Sequence, residues 1–224
     1  MKMKKLITIG ASICSVAAFA DTPLTLYHTG VNWGNYYGPA DVCWTNSAGT
    51  SSAWVNGATA VIQTTTYNCG FKESFEMGGL KLDFQSTPYH CWWDGNTSEF
   101  RIGSGGLEFC GGASGSRMWE LLASTADNNK VTLTENQTWR GTAASTVRLA
   151  FGNNMGGSWA YTKARVRALD NVTDWTIEND MIVLLYAANN DLANTCVTVN
   201  APAKLFLADM NNSNAQLHAR RLVL

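Results

Sequence analysis

The sequence predicts an all-β domain, and its internal repetition orders the strands as a solenoid. Three observations carry this. Helical patterning is nearly absent, strand-like alternation recurs between turn clusters, and short motifs return at separations in the twenties.

The first twenty residues stand apart. Lys2, Lys4 and Lys5 precede a short apolar stretch from Leu6 to Phe19, which closes on the small-x-small pattern Ala18-Phe19-Ala20. The stretch is too short to span a bilayer, which takes about 20 apolar residues. Residues 1–20 are therefore expected to be a cleaved signal peptide, with residues 21–224 forming a single exported β-solenoid domain. Removing the leader removes three lysines and no acid, leaving 13 basic and 17 acidic residues. That small negative balance argues against a nucleic-acid partner, which calls for a basic face. The longest later apolar run, Met181 to Ala188, fits a buried strand, so no integral membrane segment is expected in the mature chain.

Composition agrees with an all-β domain. Only 15% of the chain is charged, while twenty Asn and twenty Gly residues supply side chains that accept the backbone angles of tight turns. Nine Trp residues, with many Val, Ile and Leu, provide apolar area for a core.

Along the chain, alternation marks strands at Leu80/Leu82/Phe84, Val131/Leu133, Val147/Leu149/Phe151, Val197/Val199 and Leu205/Leu207. Turn clusters such as Asp127-Asn128-Asn129 and Asn189-Asn190-Asp191 lie between them. Met118 to Ala123 alone offers a turn or two of helix. Such spacing suits a sandwich, a barrel or a solenoid. Repetition favours the last. Tyr67-Asn68-Cys69 returns as Tyr89-His90-Cys91, and Gly78-Gly79-Leu80-Lys81-Leu82 returns as Gly105-Gly106-Leu107-Glu108-Phe109. Trp119, Trp139 and Trp159 follow 20 residues apart, and periods of this size belong to stacked units that share one core. A β-sandwich is the alternative.

Five cysteines follow the leader, and no C-x-x-C is among them, so zinc-ribbon and thioredoxin-type readings are excluded. Equivalent positions of successive turns stack about 4.8 Å apart, inside the Cα range of roughly 4.4 to 6.8 Å for a disulfide. Cys69 and Cys91 are therefore the disulfide candidates.

Trp33, Trp44 and Ala53-Trp54-x-Asn56-Gly57, followed by Ala60-Val61-Ile62, resemble the opening of passengers carrying autotransporter-associated β-strand repeats. Gly105 to Phe109, and Val131 to Trp139 with its L-x-x-x-Q-x-W spacing, resemble the elements that come next, so the resemblance covers roughly residues 33–151. It implies a right-handed parallel β-helix on the extracellular or outer-membrane surface of a bacterium, adhesive or structural in role. The Gly-Asn-Thr-rich block usual after the tryptophan is missing, and no translocator barrel precedes Leu224. The chain thus resembles a truncated passenger or a stand-alone relative.

No active site is legible. His28, His90 and His218 lack a second ligand at metal spacing, and adjacent strand residues such as His90 and Cys91 point to opposite faces. Asp41, Glu73, Glu76, Asp83, Asp94, Glu99 and Glu108 read as solvated carboxylates, although a glycosidase would need one pair about 5 to 10 Å apart. Arg165, Arg167, Arg220 and Arg221 read as solvated rather than anion-binding. Trp92 and Trp93, beside Tyr89 and Asp94, are the ligand-contact candidates, since two neighbouring strand residues cannot both point inward. The expectation is an exported, non-catalytic surface or adhesive protein with no cofactor and no metal, meeting a cell-surface glycan or a host surface. A carbohydrate-binding β-sandwich module and a solenoid polysaccharide lyase or hydrolase are the alternatives.

Overall fold

The computed structural model describes residues 24–27, 36–64, 68–84, 89–94, 99–110, 117–123, 130–149, 165–185, 190–207 and 216–224. Every regular element in them is a strand. The first six are β1 (Leu24–Tyr27), β2 (Tyr36–Tyr37), β3 (Trp44–Thr45), β4 (Ser51–Ser52), β5 (Thr59–Thr64) and β6 (Asn68–Lys72). Next come β7 (Phe75–Phe84), β8 (Tyr89–Asp94), β9 (Glu99–Cys110), β10 (Arg117–Ala123), β11 (Lys130–Leu133) and β12 (Gln137–Leu149). The last are β13 (Arg165–Ala168), β14 (Asp174–Leu185), β15 (Asn190–Val199), β16 (Lys204–Leu207) and β17 (Leu217–Val223). The helical turn expected over Met118 to Ala123 is instead β10, held in parallel between β8 and β12.

Pairing is antiparallel only where β3 meets β1 and β4, and every other described pair is parallel. A sandwich of antiparallel sheets is thereby excluded as the main architecture. One ladder runs through β7, β9, β11, β13, β15 and β17. A second runs through β2, β6, β8, β10, the end of β12, the end of β14 and β16. A third joins β1, β5, β7, β9, β12, β14 and β15.

These ladders share strands, and the sharing closes them. β9 pairs with β11 through Glu99–Ile102 and with β12 through Leu107–Phe109. β15 pairs with β13 at Asp191 and with β14 through Cys196–Val199. With β11–β13 and β12–β14, this makes a ring of six parallel strands, β9-β11-β13-β15-β14-β12, a closed barrel core with accessory strands. The closure corrects the β-solenoid expectation, the right-handed parallel β-helix, and with it the autotransporter-passenger resemblance. The physical reason is the length of the strands. Turn clusters suggested short strands ending at each corner, yet β9, β12 and β14 run for 12, 13 and 12 residues. They bend without ending. Gly106 at φ 65° and Asn179 at φ 58° mark two bends, and register shifts mark those at Gly141/Ser145 and Leu192/Cys196.

The two recurring glycine motifs lie side by side, with Gly79 opposite Gly106, Leu80 opposite Leu107 and Leu82 opposite Phe109. Trp119 and Trp139 are not partners of each other: Trp119 pairs with Tyr89 and Val147, and Trp139 with Leu107 and Ile177, while Trp159 lies outside the described residues. Alternate residues turn inward. Phe75, Phe100, Val131 and Val166 form one inward row, each fully or almost fully buried. At the N-terminal end Trp44 and Trp54 close over Phe75, with ring centroids 4.6 Å apart between the two indoles. Farther along, Trp139 meets Trp175 edge-on at 4.8 Å.

Candidate functional site: a cationic row on one face

The face opposite the buried row is set by the same alternation. Glu99-Phe100-Arg101-Ile102, Lys130-Val131-Thr132-Leu133 and Arg165-Val166-Arg167-Ala168 occupy neighbouring parallel strands in register. Their apolar members point inward, so Glu99, Lys130 and Arg165 form one outer row and Arg101, Thr132 and Arg167 another. The second row continues to Glu76 on β7, Asp191 on β15 and His218 on β17. Strands about 4.8 Å apart repeat these positions at a fixed interval.

The centre is tightly bonded. Thr132, fully buried, donates its hydroxyl to Glu99 Oε1 and accepts from Arg167 Nε at 2.9 Å. Arg167 Nη2 donates to Glu99 Oε1 at 3.0 Å, and Arg101 Nη1 lies 3.7 Å from the same oxygen. The Glu99 amide donates to Ser74 Oγ at 3.0 Å. Burial by itself would raise the Glu99 pKa. The hydrogen bonds from Thr132 and Arg167, with the charges of Arg167 and Lys130, outweigh that and hold it below the usual carboxylate value.

The central three strands thus gather four cations, Arg101, Lys130, Arg165 and Arg167, around one carboxylate. A neighbouring row shows the contrast. Lys81, Glu108, Arg140 and Glu178 alternate in sign across β7, β9, β12 and β14, and Lys81 lies 3.7 Å from Glu108. That row balances itself. On β9, β11 and β13 the four cations outnumber Glu99, with Glu76 and Asp191 on the flanking strands, and Arg167 is fixed by its bonds to Glu99 and Thr132; a cationic surplus of this kind is the chemistry of an anion-binding surface.

The other sequence candidates fall elsewhere. Trp92 and Trp93 lie on β8, their backbone opposite Gly70 and Phe71 on one side and Leu122 and Ala123 on the other. Their side chains are outside the described residues. Cys69 and Cys91 are in-register partners of parallel β6 and β8, and their thiols also lie outside the described residues. Cys43 and Cys196 are free thiols. Asp41 pairs with Lys72 at 3.3 Å and Asp83 accepts from Gln63 at 2.8 Å. His218 Nδ1 is 3.8 Å from Asp191, and His28 and residues 1–20 lie outside the described residues. Among the described residues no group of three or more His, Cys, Asp and Glu side chains could hold a metal ion, and no helix is long and apolar enough to cross a membrane.

Of the motif residues that carried the resemblance, Trp44, Trp54, Leu107, Phe109, Leu133, Gln137 and Trp139 are core. Gln137 Nε2 donates to the Ile102 carbonyl at 2.8 Å, its Oε1 accepts from Trp139 Nε1 at 2.9 Å, and Leu133 is buried beside them. Sequence reasoning missed the Glu99 row because it read Arg165 and Arg167 as solvated and Glu99 as one of several scattered carboxylates. The signal was the charged–apolar alternation shared by three segments 31 to 35 residues apart. No family model, curated protein or solved structure matches the chain. The closed ring of parallel strands replaces the extended adhesive stalk that the resemblance implied with a compact β domain.

Proposed function

We propose that this chain is an exported, non-catalytic carbohydrate-binding domain whose outer face over β9, β11 and β13 takes an acidic polysaccharide. One observation carries the reading: on the adjacent, in-register strands β9, β11 and β13 the outer positions hold four cations and one carboxylate, the next acids being Glu76 and Asp191 on the flanking strands. A polymer with an anionic group on each repeat finds matching charge at Lys130 and Arg165, in-register neighbours on successive strands about 4.8 Å apart. The buried Thr132 and the low-pKa Glu99 hold Arg167 in place before any ligand arrives, which lowers the ordering cost of binding. The leader-like residues 1–20 support export, with the mature chain beginning at Asp21.

The test is titration with polygalacturonate, with neutral dextran as control. Binding is expected for the acidic polymer alone, weakening as salt rises. Lys130→Gln combined with Arg165→Gln should weaken it at least about tenfold while leaving the unfolding midpoint nearly unchanged. Equal binding of dextran, or binding unmoved by the two substitutions, would overturn the reading. Binding lost instead in Trp92→Ala or Trp93→Ala would move the site to β8.

A further inference from the structure

The two ends of the domain differ. At the N-terminal end, β1 continues the ladder of β5 but is itself covered by antiparallel β3, with β4 beyond. Trp44 and Trp54 seal that end, at 0% and 8% exposure. At the other end, β16 and β17 are the last strands of their ladders. Among the described residues, β16 pairs only with β14 and β17 only with β15. Their outer edges leave backbone N–H and C=O groups in place to receive another strand.

The side chains there are those of a core cut open. Leu207 continues the inward row of Leu185, and Leu222 that of Val197. Their predecessors are fully buried, whereas Leu207 is 50% and Leu222 49% exposed. The charged outward positions are all basic, beside the apolar Phe206 and Val223. Lys204, Arg220 and Arg221 are exposed, and neither strand contains an acid. Arg220 also donates to the Thr173 carbonyl at 3.3 Å.

We propose that the outer edge of β17 binds an extended segment of a partner protein, added as a further strand, with acidic residues at its outward positions and apolar residues at its inward ones. Edge addition supplies main-chain hydrogen bonds, and alternate side chains supply selectivity. Charge selects this occupant over a second copy. Two copies meeting edge to edge would set Arg220 and Arg221 against the same residues of the other copy. Head-to-tail stacking on β17 would need an open parallel edge at the start of its own ladders, where β3 covers β1 and the Gly57 amide donates to the Glu76 carbonyl of β7.

The test uses the full chain and a nine-residue peptide of alternating valine and glutamate, followed by fluorescence anisotropy. Binding is expected. It should fall at least about tenfold when lysine replaces glutamate, and equally when alternate peptide nitrogens are methylated to remove the edge hydrogen bonds. Arg220→Glu with Arg221→Glu should reverse the preference toward the lysine peptide, a gain that misfolding cannot imitate. Leu222→Lys should abolish binding of either peptide. No binding of the glutamate peptide, or equal binding of its methylated form, refutes the proposal. A concentration-dependent dimer in sedimentation that Leu222→Lys dissolves and the peptide does not displace would assign the edge to a second copy instead.

Discussion

Arg167 reaches Glu99 across an intervening strand, its Nη2 3.0 Å from Oε1, although 68 residues separate them in the chain. The contact exists because β9, β11 and β13 stand in register, so two short polar segments far apart in sequence become near neighbours. Thr132 on the middle strand serves both partners, donating to one and accepting from the other.

Thr132→Val keeps the shape of this buried side chain and removes both hydrogen bonds. It should destabilise the domain by about 1 to 3 kcal/mol, the usual cost of leaving charged partners less satisfied. Chemical denaturation measures this. A double-mutant cycle with Glu99→Gln should show coupling, because the two share one network. Additive losses would mean the residues act independently.

Acid should weaken the fold through Glu99. Its folded pKa is depressed below the ordinary 4.5, so the unfolded chain takes up a proton first as pH falls. The stabilisation is fully present above the unfolded value and is lost as pH drops through the folded one. Unfolding midpoints measured from pH 7 to pH 2.5 should fall in that window. In Glu99→Gln the fall should be shallower, and an unchanged profile would remove Glu99 from the acid response.

Gly106 and Gly57 both adopt left-handed angles, φ 65° and 82°. They differ in surroundings. A Cβ on Gly106 would collide with the Thr138 carbonyl, whereas one on Gly57 meets nothing within 4 Å. Gly57→Ala should therefore cost about 1 kcal/mol, from the backbone angle alone. Gly106→Ala should cost several times more, or prevent folding, because it forces β9 away from β12 at the bend. Equal losses in thermal unfolding would contradict the close approach.

The cysteines should react unequally. Burial, followed by the charge of Asp41, pushes the Cys43 thiol up to about 11, so alkylation at pH 8 should be much slower there than at Cys196. Cys69 and Cys91, as in-register neighbours, lie at a spacing of about 4.8 Å that allows a bridge. Mild oxidation followed by digestion and mass spectrometry should recover the Cys69–Cys91 peptide pair. Its absence, with other cysteines linked instead, would falsify the pairing.

Read alone, the sequence already determines the strand content and much of the side-chain facing. Charged and apolar residues alternate in 99–102, 130–133 and 165–168, and a strand repeats its facing every second residue whatever it pairs with. The recurrence of Gly78–Leu82 as Gly105–Phe109 even marks two segments that become neighbours. Tertiary structure alone decided how the ladders join. A bend inside β9 or β14 leaves no loop signature, because one left-handed residue, Gly106 or Asn179, turns the strand without ending it. The closed ring, and the meeting of Glu99, Thr132 and Arg167 in one network, follow from register between distant strands. Register is a property of paired backbones, and no single stretch of residues carries it.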